Sequence, residues 1–162
     1  MSFASMLGGL TRNKVRFVVI GGVAAAVHGS SRVTNDLDIC YYASDRGNVD
    51  TLAKLLAKWD AYPRGVEKKL PFIMDGRTLR GAPVMTLATT EGDIDVMDRV
   101  AGVGDYDAVR DHSERISALG VSFRVLDLPS LIKAKRAAGR PRDFDHLPEL
   151  EALLELRRRS PR

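Results

Sequence analysis

Asp36, Asp38 and Asp95 are the residues of this chain best suited to chemistry. In Asp36-Leu37-Asp38-Ile39 a carboxylate alternates with an apolar residue, so on a strand both aspartates point to one face and Leu37 and Ile39 to the other. Two carboxylates one residue apart repel each other, and a cation between them removes the repulsion. Asp95, between Ile94 and Val96, repeats the pattern on a second candidate strand. If the two strands are neighbours, the three carboxylates converge. With water and phosphate oxygens they suit octahedral Mg²⁺, and Mn²⁺ is the alternative ion. A pair of such ions roughly 4 Å apart would clamp the attacking and leaving oxygens of a phosphoryl displacement. Asp93 and Asp98 compete with Asp95 for the third place; Asp93 shares its face but lies nearer the turn.

Gly21-Gly22 supplies a second kind of chemistry. The apolar run Phe17-Val18-Val19-Ile20 ends there, so it reads as a buried strand entering a tight turn before a short helix over 22–28. Glycines let the backbone approach a phosphate closely, and the amides that open the helix are donors for it. Thirteen residues separate Gly22 from Asp36. A lone Gly-Gly or a lone Asp-x-Asp says little, but the two in this order with a later strand-borne Asp say much more.

These groups need a sheet to hold them, and periodicity supplies one. Strands are expected over 15–20, 36–42, 84–89 and 94–97, the last two joined through Thr90-Glu91-Gly92-Asp93 as a hairpin, and over 116–119 and 121–126 around Gly120. Strand-like text also starts at Leu70, and Asp75-Gly76 suggests a turn leading to a helical turn at Arg77–Arg80. Helical spacing appears at Phe3, Met6, Leu7 and Leu10, and at Val49, Leu52, Leu55, Leu56 and Trp59. A helix is expected over 105–115, and two more follow Leu128-Pro129-Ser130. The polar, lysine-bearing segment 61–70 reads as a loop. The fold class is therefore α/β (α+β): a mixed twisted sheet flanked by helices, with a C-terminal helical hairpin. One domain over 1–162 is expected, with an N-terminal helix in 1–14, the sheet core in 15–127 and the last helices in 128–160.

Composition narrows the partners. The single cysteine, Cys40, excludes an internal disulfide and a cysteine-based zinc cluster, and reads as a small buried hydrophobe. There is no apolar run long enough to span a membrane and no basic-then-apolar leader, so a cytoplasmic protein without a membrane partner is expected. Residues 130–162 hold nine Lys or Arg against five acids, whereas the other 129 residues hold sixteen of each. All the excess positive charge lies at the C-terminal end, where it could meet phosphates. His28 reads as a packed histidine at a helix end, His112 and His146 lack ligand-like neighbours, and Arg157–Arg159 read as a solvated helix end.

Gly21-Gly22, Asp36-Leu37-Asp38-Ile39 and Asp95 together resemble the signature of the DNA polymerase β-like nucleotidyltransferase superfamily. More narrowly, Arg32–Asp38 and Leu131–Asp143 look like the AbiEii-type, MenT-like nucleotidyltransferases of bacterial toxin–antitoxin pairs, and the likeness runs from about residue 15 to 150. The resemblance implies Asp36 and Asp38 as metal ligands, with Asp95 as a ligand or as the base for the acceptor hydroxyl. It implies Gly21 and Gly22 as the phosphate cradle, and Arg32, Lys135 and Arg140 as cations for the triphosphate. Asp143 would orient Lys135 or exchange protons beside it, unless it merely caps the last helix. The implied activity is Mg²⁺-dependent transfer of NMP from an NTP to a hydroxyl, with the 3′ end of tRNA as acceptor, a toxin role and a cognate antitoxin as partner. Transfer to a protein side chain or to a small molecule such as an aminoglycoside, or a catalytically idle member that only binds nucleotide or a partner, are the alternatives. The chain departs from many relatives in having Gly-Gly for Gly-Ser, and in lacking a separate substrate domain.

Overall fold

The computed structural model describes residues 2–160; Arg162, counted above with the basic end, lies outside them. Helix α1 (Phe3–Arg12) starts at Ser2, whose hydroxyl accepts from the Ser5 amide. Strand β1 (Phe17–Ile20) leads directly into α2 (Gly21–Val27), and β2 (Asp36–Tyr41) runs back antiparallel to β1. Helix α3 (Arg46–Lys58) follows and is capped by Asp45. Its C-terminal Trp59 sits where any side chain on Gly9 of α1 would have to go, 2.6 Å from its Cβ position, so the glycine lets the two elements meet.

The second half begins with the two-residue strand β3 (Tyr62–Pro63) and the short α4 (Gly76–Arg80), capped by Asp75. The hairpin β4 (Val84–Thr89) and β5 (Gly92–Met97) comes next, then β6 (Arg99–Val100) and β7 (Gly104–Asp105), which form a small separate ribbon. Helix α5 (Tyr106–Asp111), strands β8 (Ser113–Ala118) and β9 (Val121–Leu126), and helices α6 (Leu128–Ala138) and α7 (Pro141–Arg159) complete the chain.

Seven strands form one mixed sheet in the order β3-β4-β5-β2-β1-β9-β8. Strand β2 is parallel to β5 and β1 to β9; the other neighbours are antiparallel. The expected sheet with flanking helices and a C-terminal helical hairpin is thus what the chain forms. Helices α6 and α7 are joined at Gly139, whose φ of +67° is the left-handed turn that ends α6. The period-two reading of β2 and β5 holds: Leu37, Ile39, Ile94 and Val96 are buried on one face, while the aspartates share the other. Among the described residues, no helix is long and apolar enough to cross a membrane.

Four expectations need correction. The helix over 105–115 stops at Asp111, because Ser113, Glu114 and Arg115 pair with Leu126, Val125 and Arg124 as part of edge strand β8. An edge strand has one bonded neighbour and a wet face, so its residues read as polar helix. The strand text at Leu70 forms no strand; Pro71 removes a ladder donor, and Leu70 and Ile73 stay exposed. The segment 61–70 is not all loop, since Tyr62 and Pro63 pair with Ala88 and Leu87. The hairpin loop is only Thr90-Glu91, because Gly92, at φ +136°, already pairs with Thr89 and Asp93 with Ala88.

Candidate metal and phosphate site

Parallel pairing of β2 with β5 sets Asp36 opposite Asp93 and Asp38 opposite Asp95. Side chains in register on neighbouring strands share a face, so four carboxylates crowd one patch of sheet. Asp36, Asp38 and Asp95 each offer an oxygen, and these oxygens all lie within 4.8 Å of one another. An all-oxygen, all-carboxylate donor set at that separation fits a hard divalent cation such as Mg²⁺ or Mn²⁺. Of the two competitors for the third place, Asp93 lies outside the three whose oxygens converge, and Asp98 lies near Cys40 and Tyr41 with its Oδ1 buried and without a partner among the described residues.

The crowding shows in the proton affinities. Burial first, then repulsion from Asp36 and Asp95, pushes the Asp38 carboxyl up to about 8, with Lys135 only partly offsetting it. Burial also raises Asp95, but less, because the Arg64 guanidinium beside it favours its charged form. A hydrogen bond joins the two carboxyls, so Asp38 is the natural holder of a shared proton.

Gly21 explains how Asp38 fits. Its φ of +64° is left-handed, and a Cβ there would lie 2.0 Å from Asp38 Oδ2. Gly22 is similarly filled, since a Cβ would lie 2.5 Å from Thr34 Oγ1. The Gly-Gly pair therefore has a packing reason of its own: it lets β2 and the residues before it approach the turn. Both glycines also line the cleft described below.

Arg64 is the site residue that periodicity missed. Its Nη2 lies 2.6 Å from Asp95 Oδ1 and 3.5 Å from Asp36 Oδ2, and its Nη1 3.7 Å from Asp93 Oδ2. Nη1 also donates to the Leu87 carbonyl, and the Arg64 amide donates to Thr86, the residue that pairs with Asp95. The only sequence signal was its position directly after Tyr62-Pro63, and a two-residue strand has no period to detect.

A cleft of about 840 Å³ opens over the carboxylates. Arg32, Arg64, Lys135, Arg140, Arg142 and His146 are among the residues that line it. The sequence-predicted cations are therefore gathered with the carboxylates in one place. Lys135 and Arg140 are both tied to Asp143, which is completely buried: Lys135 Nζ lies 3.2 Å and Arg140 Nε 2.6 Å from its carboxylate. Burial alone would raise the Asp143 carboxyl, but hydrogen bonds from Arg140 and Lys135 more than offset it and hold it below the usual range. Asp143 also accepts from the Arg140 backbone amide in the first turn of α7, so it is a helix cap and a charge partner at once.

Arg32 is exposed, and its guanidinium donates to the Arg142 carbonyl. The turn before it is pinned to α7: Ser30 and Ser31 donate to Glu149, and His146, itself buried, hydrogen-bonds Ser30 at 2.9 Å. His146, given no role from sequence, thus packs at the cleft wall. His28 is a packed histidine as expected, donating to the Leu126 carbonyl and accepting from Arg157. That bond corrects the reading of Arg157 as simply solvated. Cys40 is buried and its thiol is pushed up to about 12, first by burial and then by Asp98 and Asp105. Such a thiol is inert.

No protein-family model and no curated protein matches the chain. Among solved structures it is similar to a candidate nucleotidyltransferase from Thermotoga maritima, at 18% identity over 90% of this chain and 87% of that one, with a TM-score of 0.56. This chain has a nucleotidyltransferase fold. At that identity the likeness is one of architecture, and the functional argument rests on the acidic cluster and the cleft.

Proposed function

We propose that the chain is a Mg²⁺-dependent nucleotidyltransferase that moves an NMP group from an NTP to a hydroxyl and releases pyrophosphate. The observation that carries this reading is the convergence of Asp36, Asp38 and Asp95 within 4.8 Å at the edge of a cleft whose other wall is basic. Asp36, Asp38 and Asp95 hold the ion, which when bound supplies positive charge to the phosphoryl oxygens and the attacking oxygen. Lys135, Arg140 and Arg32 receive the triphosphate, while Asp143 fixes the first two in place. The backbone at Gly21 and Gly22 borders the same space.

In the transfer, the acceptor oxygen forms a bond to the α-phosphorus in line with the bond to the β-bridging oxygen, which breaks. The hydroxyl proton passes to a carboxylate of the cluster, with Asp95 the candidate because burial raises its proton affinity. Positioning and electrostatics do most of this work. The acceptor favoured is the 3′ end of tRNA, in a toxin role with a cognate antitoxin. The support is the resemblance of Arg32–Asp38 and Leu131–Asp143 to toxin-type enzymes and the excess of basic residues after residue 130.

Incubation with each labelled NTP and Mg²⁺, with total tRNA, candidate protein or an aminoglycoside as acceptor, tests both levels. Label on the tRNA 3′ end, lost in Asp36→Asn and Asp38→Asn, is the expected result. Label on protein or on an aminoglycoside alone rejects the tRNA acceptor, and unchanged transfer in the two variants rejects the metal site.

A further inference from the structure

We infer that Arg64 is a displaceable counterion of the acidic cluster: a divalent cation that binds Asp36 and Asp95 must first move the Arg64 guanidinium off them. The inference rests on the metal half of the proposed function and needs no nucleotidyl transfer.

Competition follows from shared oxygens. Arg64 Nη2 lies 2.6 Å from Asp95 Oδ1 and 3.5 Å from Asp36 Oδ2, and both residues belong to the three whose oxygens cluster within 4.8 Å. A guanidinium and a divalent ion in that space repel each other. An Mg²⁺ ion binds at about 2.1 Å with near-ideal octahedral geometry, which leaves little tolerance for a cation wedged between two of its ligands. The residue is built to yield. Its backbone is fixed, because its amide donates to Thr86 and Tyr62 and Pro63 are paired to β4. Its side chain is about one-third exposed, at 32%, and carries its charge on a long flexible stem, so the guanidinium can leave without unzipping β3. The chain then turns at Gly65, φ +83°, immediately after the arginine. Asp93 offers Nη1 a fallback partner at 3.7 Å outside the metal-binding three. Arg64 thus neutralises the acids when no ion is bound and sets how much divalent ion is needed to replace it.

Mn²⁺ titration by calorimetry and electron paramagnetic resonance, on wild type, Arg64→Gln and Arg64→Lys, tests this directly. Removing a positive charge this close to the ion is expected to tighten Mn²⁺ binding at least about tenfold in Arg64→Gln. Arg64→Lys stays nearer wild type. Loss of binding in Asp38→Asn assigns the titration to this cluster. Equal or weaker binding by Arg64→Gln overturns the inference while leaving the metal site standing. Absence of binding in every form overturns the inference and the metal site together. A measurement on the wild type covers the case in which Arg64→Gln does not fold. The side-chain nitrogen signals of Arg64, slowed by its ion pairs, are expected to sharpen and shift on Mg²⁺ saturation, and their persistence unchanged also overturns the inference.

Discussion

Asp38→Asn is expected to make the metal-free protein more stable at neutral pH, the opposite of what removal of a buried polar partner normally does. The wild-type carboxyl titrates at about 8 in the fold against 3.8 in the unfolded chain. Below pH 3.8 both states hold the proton and nothing is lost. Between 3.8 and 8 the unfolded chain has released a proton that the folded chain keeps, so stability declines as pH rises, by up to about 1.4 kcal/mol per unit. At pH 7.5 the full shift would be worth about 5 kcal/mol, and allowing for solvent that reaches this half-buried group, about 2 kcal/mol is the working value. Asparagine keeps the shape, can still donate to Asp95, and carries no charge. In a chelating buffer at pH 7.5, a calorimetric melt is expected to show Asp38→Asn about 4–8 °C above wild type. At pH 5 the gap shrinks to roughly a third, because the window between the two pKa values has mostly closed. Addition of Mn²⁺ raises the wild type and not the variant, reversing their order. A variant at or below wild type without metal, or a gap indifferent to pH, refutes the crowding argument.

Gly21→Ala places a Cβ 2.0 Å from Asp38 Oδ2 at a φ of +64°, so it is expected to cost about 2 kcal/mol in urea unfolding and to weaken Mn²⁺ binding by moving Asp38. Asp143→Asn leaves Lys135 and Arg140 facing a neutral, fully buried side chain; a loss of about 2–3 kcal/mol, read from the urea midpoint, is expected, together with weaker nucleotide binding.

The acidic half of the site was legible because it obeys a short period. Asp36 and Asp38 alternate with two fully buried residues, and Asp95 does the same between Ile94 and Val96, so the faces were set by sequence and only the pairing of β2 with β5 had to be found. Arg64 was illegible for the complementary reason. It is placed by a two-residue edge strand that contains a proline, too short to carry a pattern, and its partners lie about thirty residues away along the chain. Edge strand β8 was half lost to a helix for the same cause, one wet face. The stretch at Leu70 misled in the other direction, since Leu70 and Ile73 remain exposed while Phe72 and Met74 pack on the core without pairing as a strand. The Lys135 to Asp143 pair crosses from α6 to α7, and no helical period links those residues; family resemblance alone suggested it.

The way the charges are held apart explains why the cleft stays open. Four aspartates on the sheet and several basic side chains around it would be expected to collapse onto one another as ion pairs. Lys135 does not, because the buried carboxylate of Asp143 fixes its ammonium 3.2 Å away, and Arg140 is committed to the same group. Lys135 accordingly eases the Asp38 carboxyl less than burial and the neighbouring aspartates strain it. Among the described residues Arg64 alone pairs directly with the sheet's aspartates, and it is a partly exposed side chain that can move. Under the proposed function, a metal–triphosphate complex is the ligand that satisfies both walls at once, its cation meeting the aspartates and its phosphates the basic side. A free divalent ion or a free anion satisfies only one wall, so the two are expected to bind more tightly together than apart. Nucleotide titrations with and without Mg²⁺ measure that coupling, and Asp143→Asn is expected to reduce it, since Lys135 would then be free to swing toward Asp38 and close the gap.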